Sequence, residues 1–189
     1  KMGLVVTAFD YNDDLWPDIY IGNDMDTGNI FYHNNGDGTF SDYSAESGLD
    51  LAFSTMGLAI EDYDNDGDMD IYVTNLDAGN ALMRYNGNGT FTDVAFELEI
   101  QVNLICWGAN FFDYNNDGSL DLYVAAGCIS GTANDGTMGC SWNSGESPEL
   151  SANNVLFSNN GDGIFTDVSN TSGLNNSYLT TGTAIGDKI

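Results

Sequence analysis

Short runs of alternating apolar and polar residues recur along most of the chain. Runs such as DIYVTN and DLYVAA place apolar side chains at every second position, which is typical of β-strands. Stretches such as NIFYHNNGDGTFSDY add Asn-Gly and Asp-Gly pairs, whose positive φ angles suit a tight hairpin turn. Almost no stretch has the 3.6-residue period of an amphipathic helix. The pattern therefore predicts an all-β protein.

The strand pattern occurs three times. Its acidic segments AFDYNDDLWPDIYIGN, AIEDYDNDGDMDIYVTN and NFFDYNNDGSLDLYVAA have their first shared aspartates at Asp10, Asp62 and Asp113, which are 52 and 51 residues apart. A hairpin signature follows each segment, and it reads NNGDGTFSDYS, YNGNGTFTDVA or NNGDGIFTDVS. A period near 50 residues with four short strands per unit is typical of a β-propeller or a stacked β-array.

The repeats predict three complete four-stranded blades and the start of a fourth. The predicted boundaries are 1–50, 51–101, 102–174 and 175–189, and an insertion is expected at about 126–151. Propellers usually need at least four blades to close. Three arrangements are therefore open: part of a larger propeller, an open array, or a unit whose ends pair with neighbouring copies.

An acidic loop is predicted between the first two strands of each repeat. Side-chain oxygens at loop positions 1, 3, 5 and 9, with a backbone carbonyl at position 7, can wrap a short loop around a hard cation. Glycine at position 6, present as Gly67 and Gly118 but replaced by Leu15 in the first repeat, permits the sharp bend. The predicted metal-binding residues are Asp10, Asn12, Asp14, Trp16 and Asp18; Asp62, Asp64, Asp66, Asp68 and Asp70; and Asp113, Asn115, Asp117, Ser119 and Asp121.

The oxygen-rich loops favour calcium, at about three sites. Calcium accepts six to eight oxygen ligands in flexible geometry, whereas magnesium requires a stricter octahedron. No histidine or cysteine accompanies the loops, so zinc is not supported. An EF-hand would need glutamate at position 12, where this chain has Ile21, Val73 and Val124.

The alternative is that these loops are ordinary turns in an acidic protein. With about one residue in eight aspartate and as many asparagine, roughly 0.1 matches to the ligand pattern are expected by chance. Three matches occur, in phase with the repeat, which favours metal binding.

Charge and hydropathy exclude several classes of partner. The chain has 29 acidic and 3 basic residues and a net charge of −26, so it lacks a basic surface for nucleic acid or an anionic membrane. No apolar run is long enough for a transmembrane helix. The hydrophobic content of 42% argues against disorder.

Several further residues could carry chemistry. Cys128 and Cys140 could form a disulfide bond and leave Cys106 unpaired, or all three could be buried thiols. His33 aligns with Arg84 and Ser158, and we expect it on a solvated strand face. Glycosylation sequons begin at Asn88, Asn170 and Asn175. No catalytic motif is present, and nothing in the sequence pairs Glu61, Glu146 or Glu149 as catalytic acids, so the chain is not expected to be an enzyme.

The combination of acidic loop and hairpin, as in DYDNDGDMDIYV with NGNGTFTDV, resembles the FG-GAP or VCBS-like repeats. Such repeats occur in integrin α-subunit propellers, in cartilage acidic protein-like proteins and in many secreted bacterial proteins. The resemblance implies one four-stranded propeller blade per repeat, with calcium in the loop between its first two strands. Leu15 and the insertion depart from the family pattern.

These features together predict a secreted or cell-surface calcium-binding repeat protein with a role in adhesion, matrix or assembly. Expected partners are calcium ions, a protein or glycan ligand, and further copies in a homo-oligomer or head-to-tail polymer. One alternative is a filament subunit whose incomplete repeat is completed by a neighbouring copy. Another is a non-catalytic or substrate-binding part of a larger secreted hydrolase or lyase. Because the chain opens at Lys1 without methionine, we expect a processed or excised piece.

Overall fold

The computed structural model describes residues 2–25, 27–76, 79–102, 104–132, 138–140, 150–151, 154–161, 163–174 and 183. These residues form an all-β structure with three four-stranded antiparallel sheets, which confirms the predicted fold class of blade-like repeats. A closed propeller is not formed by the described residues. None of the helices among them has the length and apolar character to cross a membrane.

Blade 1 and blade 2 are each formed by four consecutive strands. The strand order in each is that of the sequence, as expected for a meander with short connections. Blade 1 contains β1 (Gly3–Phe9), β2 (Asp18–Asn23), β3 (Ile30–Asn34) and β4 (Phe40–Asp42), followed by the helical turn α1 (Ser44–Ser47). Blade 2 contains β5 (Thr55–Glu61), β6 (Asp70–Asn75), β7 (Ala81–Tyr85) and β8 (Phe91–Asp93).

Blade 3 has the same plan but carries a second, three-stranded sheet between its second and third strands. In chain order the elements are β9 (Cys106–Phe112), β10 (Asp121–Ala126), β11 (Cys128–Thr132), β12 (Met138–Cys140), β13 (Leu150–Ser151), β14 (Val155–Asn159), β15 (Phe165–Asp167) and α2 (Ser169–Ser172). The four-stranded sheet has the order β9-β10-β14-β15, and the smaller one β12-β11-β13. The smaller sheet lies within the residues predicted as an insertion.

Two apolar clusters fill the spaces between successive blades. Each strand alternates its side chains between two faces, so one face of blade 2 packs on blade 1 and the other on blade 3. The inner strands approach so closely that a Cβ atom at Gly57 would lie 2.8 Å from the Cα of Gly108. A side chain at that position would push blades 2 and 3 apart.

A buried asparagine links the second and third strands of each blade. In blade 2, Asn80 Oδ1 accepts the amide of Asn75 at 3.0 Å, and Asn80 Nδ2 donates to the hydroxyl of Tyr72 at 3.1 Å. Each hydrogen bond satisfies a polar group that burial would otherwise leave without water. Asn29 and Asn154 accept second-strand amides in the same way in the other two blades.

The structure also bears on the remaining sequence features. Cys106 is a buried free thiol, whereas the side chains of Cys128 and Cys140 lie outside the described residues. The sequon asparagines Asn88 and Asn170 are exposed, and Asn175 is outside the described part. The two one-turn helices were not predicted. Each ends at a glycine with positive φ.

Candidate metal centres

Each acidic loop joins the first two strands of its blade, as the sequence predicted. Position 1 follows the first strand directly, and position 9 is the first residue of the second strand. The position-9 carboxylates of Asp18, Asp70 and Asp121 are fully buried. The loops are therefore held at both ends by the same pair of hydrogen-bonded strands.

The carboxylate at position 1 folds its loop by accepting backbone amides. In blade 2, Asp62 accepts the amides of Asp66 at 3.1 Å and Gly67 at 3.0 Å. Asp66 in turn accepts the amide of Asp68 at 3.0 Å. The corresponding acceptors in the first loop are Asp10 and Asp14. In the third loop they are Asp113 and Asp117. These bonds curl each loop around the carboxylate at its position 1.

Two positions in each loop have a left-handed backbone. Position 4 has φ between 58° and 59° in all three loops, where Asp13, Asn65 and Asn116 stand. Aspartate and asparagine tolerate this conformation better than other non-glycine residues. Position 6 has φ of 97° and 90° at its two glycines and 70° at Leu15. The first loop thus adopts the shared shape in spite of its leucine, whose side chain is 86% exposed.

The second loop brings three carboxylates together. Asp62, Asp64 and Asp70 each offer an oxygen atom within 4.8 Å of the others. Asp70 Oδ1 accepts the amide of Tyr85 at 2.9 Å. Asp64 Oδ1 and Asp70 Oδ2 are buried and have no hydrogen bond of standard geometry among the described residues. Buried carboxylate oxygens without partners are costly unless a cation lies between them.

The electrostatics of the second loop also favour a cation between its carboxylates. Burial raises the pKa of Asp70 to about 7, and the charges of Asp64 and Asp66 act in the same direction, whereas the backbone amides of Tyr85 and Tyr63 oppose the shift. Burial and the charge of Asp66 likewise raise the pKa of Asp64. Each shift records a site where negative charge is unfavourable in the protein alone. A hard divalent cation fits this set of oxygen donors.

At positions 1, 3, 5 and 9, the first and third loops have one acid fewer than the second loop, because position 3 is asparagine. Asn12 Nδ2 donates to Asp14 Oδ2 at 3.0 Å, and Asn115 Nδ2 donates to Asp117 Oδ2 at 2.7 Å. Among the described residues, a close group of three carboxylates forms only in the second loop. Burial still raises the pKa of Asp18 and of Asp121.

The residues predicted at position 7 differ from the other predicted ligands. Only their backbone carbonyls were expected to contribute, and their amides donate to position 5 in all three loops. The side chains of Trp16, Asp68 and Ser119 each lie against a glycine of the hairpin in the same blade, namely Gly36, Gly87 and Gly161. Trp16 lies against Gly36 of the neighbouring hairpin, where an added Cβ atom would lie 2.9 Å from its Nε1 atom.

The expectation that His33 occupies a solvated strand face was wrong. Its Nδ1 atom lies 3.1 Å from Asp18 Oδ1, and its side chain is only 28% exposed. At the matching position of blade 2, the positive charge of Arg84 acts to lower the pKa of Asp64. Ser158 of blade 3 hydrogen-bonds to Asp121. The sequence did contain a signal for this role, because His33, Arg84 and Ser158 are polar residues at the same position of the three repeats. In the structure, each of them interacts with an aspartate of its own loop.

The tyrosine at position 2 of each loop was missed by the sequence analysis. Tyr11 packs edge-on against Tyr85 of blade 2, with ring centroids 5.6 Å apart. Tyr63 stacks on Phe111 and Phe165 of blade 3, at 6.4 and 5.8 Å. These two loops are therefore in direct contact with the following blade.

A hydrogen bond reinforces the contact between the second loop and blade 3. Asn159 Nδ2 donates to the carbonyl of Tyr63 at 2.9 Å and to that of Leu120 at 3.1 Å. The backbone amide of Asn159 also donates to Asp121 at 2.8 Å. One hairpin residue thus joins the second loop to the third.

Comparison with known proteins was consistent with this repeat structure. The model of the FG-GAP-like repeat matches twice, at residues 10–73 and 62–124. Cartilage acidic protein 1 of Homo sapiens is 31% identical over 102 residues, which cover 50% of this chain and 15% of that protein. Cartilage acidic protein 1 of Xenopus tropicalis is 29% identical over 102 residues, with the same coverage. The match thus extends over a small part of each relative.

Proposed function

Since the chain belongs to the FG-GAP-like repeat family, we propose that it is an extracellular repeat protein whose acidic loops bind structural calcium ions. The observation that carries the proposal is the group formed by Asp62, Asp64 and Asp70. Two of its buried oxygens have no hydrogen-bond partner of standard geometry, and a hard cation would supply one.

The residues that would hold calcium are the side chains at positions 1, 3, 5 and 9 of each loop, with the carbonyl at position 7. When bound, calcium neutralises the clustered carboxylates. The chain itself supplies the shape of the site, because the amides of positions 5, 6 and 7 are already bonded to the carboxylates at positions 1 and 5. Three ions would change the net charge from −26 to −20.

The ordered loops would in turn hold the blades together. Tyr63 is 2% exposed and is packed against blade 3, so a displaced second loop would withdraw this ring from the core. Calcium binding would therefore stabilise the contact between blades as well as the loop itself. This makes the ion a structural element with no catalytic role.

A role outside the cell, in adhesion, matrix or assembly, is favoured by two further considerations. Extracellular modules commonly bind calcium with dissociation constants of about 10⁻⁴ to 10⁻³ M, which suits exposed loops of this kind. Both relatives are named for cartilage and for acidity, and this chain shares the acidity.

Isothermal titration with calcium tests the proposal. We expect about three ions per chain for the wild type and one ion fewer for Asp70→Asn. Asp50→Asn removes the same charge at an exposed position outside the loops and should bind like the wild type. The absence of binding at about 10 mM calcium, well above the expected dissociation constants, would contradict the proposal. So would unchanged stoichiometry in Asp70→Asn.

A further inference from the structure

The hairpin between β14 and β15 of blade 3 contacts two acidic loops at once. Asn159, the last residue of β14, donates its side-chain amide to the carbonyl of Tyr63, at position 2 of the second loop, at 2.9 Å. The same Nδ2 atom donates to the carbonyl of Leu120, at position 8 of the third loop, at 3.1 Å. Farther along the hairpin, a Cβ atom added to Gly163 would lie 3.6 Å from the Cβ atom of Asp64. This hairpin therefore lies against the second loop as well as its own.

The bonds of Asn159 reach groups that are next to proposed calcium ligands in both loops. The carbonyl of Tyr63 lies between loop positions 1 and 3. Leu120 directly precedes Asp121, the residue at position 9, and Asp121 Oδ1 accepts the backbone amide of Asn159 at 2.8 Å. Asn159, Tyr63 and Asp121 are all buried, so water does not replace a bond that breaks. A displacement of either loop would thus disturb hydrogen bonds that hold the other.

Asn34 of blade 1 stands at the same hairpin position and makes the same bonds within its own blade. Its backbone amide donates to Asp18 Oδ1 at 2.8 Å, its Nδ2 donates to the carbonyl of Pro17 at 3.0 Å, and its Oδ1 accepts the amide of Gly36 at 3.1 Å. Asn159 has a counterpart of each bond, at 2.8, 3.1 and 3.0 Å. Its bond to the second loop is additional. This one contact with another blade distinguishes the two asparagines.

Blade 2 has no side-chain amide at this position, because the residue there is Tyr85. The Tyr85 hydroxyl accepts the amide of Gly89 at 2.9 Å, and its ring packs edge-on against Tyr11 of the first loop. Ring packing is less directional than a hydrogen bond to a backbone carbonyl. The second and third loops are therefore joined by a tighter link than the first and second.

We propose that Asn159 is a positioning residue that couples the second calcium site to the third, so that binding at one site raises the affinity of the other. The inference rests on the proposed calcium function and describes the regulation of those sites. Calcium in either loop would order the carbonyl to which Asn159 is bonded. The other loop would then lose less conformational entropy when it binds its own ion. Coupling between two sites acts equally in both directions, and we expect about fivefold, the lower end of the usual range, because one side-chain amide carries it.

Two-dimensional NMR during a calcium titration follows the two sites separately. The amides of Gly67 and Gly118 each donate to the position-1 carboxylate of their own loop, so their resonances report on the second and third sites. Asp117→Asn removes an exposed carboxylate from the third loop and should lower the calcium affinity reported by Gly67 about fivefold. Asp66→Asn in the second loop should lower the affinity reported by Gly118 by the same factor.

Two asparagine variants test whether Asn159 carries the coupling. In an Asn159→Ala background, Asp117→Asn should leave the affinity reported by Gly67 unchanged. Asn34→Ala removes the matching bonds within blade 1 and should leave the full effect of Asp117→Asn in place. A residue that only stabilised the fold would lower the Tm when replaced but would leave the coupling intact. That result for Asn159→Ala would overturn the proposal.

The titrations separate this inference from the calcium proposal itself. Resonances that do not respond to about 10 mM calcium would contradict both. Saturation of both sites, each with an affinity that does not depend on the other loop, would overturn the coupling and leave calcium binding in place. Unequal factors for Asp117→Asn and Asp66→Asn would also overturn the coupling, since reciprocity would fail. This comparison uses chains that retain Asn159, so it decides the matter even if Asn159→Ala does not fold.

Discussion

Asp70 accepts the amide of Tyr85 with one carboxylate oxygen, at 2.9 Å, and its other oxygen is buried with no partner of standard geometry. The first contact joins the acidic loop to the third strand of its blade. The second oxygen, together with those of Asp62 and Asp64, remains available to a cation. One side chain thus connects the sheet to the candidate metal centre.

Without calcium, the stability of the protein should decrease as pH rises from about 4 to about 7. The pKa of Asp70 is raised to about 7, above the value of roughly 3.9 expected in the unfolded chain. The folded state therefore holds this proton more tightly, and its contribution is present at low pH and lost above the folded pKa. The raised pKa values of Asp18, Asp64 and Asp121 act in the same direction.

Thermal unfolding in chelator at a series of pH values measures this effect. Asp70→Asn should flatten the curve, because it removes the group with the largest shift, whereas Asp50→Asn should leave its slope unchanged. In saturating calcium the trend should reverse, since the ion binds only the ionised carboxylates. A calcium-free protein that gains stability from pH 4 to pH 7 would argue against this account of Asp70.

Replacing Leu15 with glycine should stabilise the protein by about 0.5–1 kcal/mol. Leu15 has φ of 70°, a conformation that costs a non-glycine residue roughly 1–2 kcal/mol, and part of this gain is offset by the greater freedom of glycine in the unfolded chain. Its side chain is 86% exposed, so little burial is lost. Chemical denaturation in calcium measures the change. Gly67→Ala, with φ of 97°, should have the opposite sign.

Tyr63→Ala should destabilise the protein far more than Tyr114→Ala. The two tyrosines occupy the same loop position, but Tyr63 is 2% exposed and Tyr114 is 37% exposed. Removal of a buried aromatic ring costs about 3–5 kcal/mol, whereas the exposed one should cost about 1 kcal/mol or less. Equal losses of stability in urea unfolding would show that the packing of Tyr63 against the following blade does not stabilise the protein.

Tyr72→Phe should reduce the free energy of unfolding by about 1–2 kcal/mol. The Tyr72 hydroxyl donates to the carbonyl of Ile100 at 3.1 Å and accepts from Asn80, and both partners would be left unsatisfied. Differential scanning calorimetry should show a lower Tm with little change in calcium affinity. A large loss of calcium affinity would mean that the network acts on the metal loops instead.

The sequence predicted what depends on local patterns. Alternation gave the four strands of each blade, and the spacing from Asp62 to Asp70 identified a loop that converges in the structure. The residues that contact that loop could not be predicted from local patterns, because these contacts join segments that are distant in the sequence. Asn159 reaches the carbonyl of Tyr63 from 96 positions away, and no periodicity in the chain encodes such a contact.

His33 is a second example of the same limit. Strand alternation alone places it on a polar face, and the hydrogen bond to Asp18 appears only when the third strand is paired with the second. The left-handed backbone at Asn65 was likewise unforeseen, although asparagine is one of the few residues suited to it.

The most direct test of structural calcium is the Tm of the wild-type chain in millimolar calcium and again after chelation, alongside Asp64→Asn. Binding only to the folded state must raise the Tm. We expect a marked fall on chelation in the wild type and a smaller one in Asp64→Asn, which lacks one of the three clustered carboxylates. A wild-type Tm that does not change on chelation would contradict the claim that calcium holds these loops and blades in place.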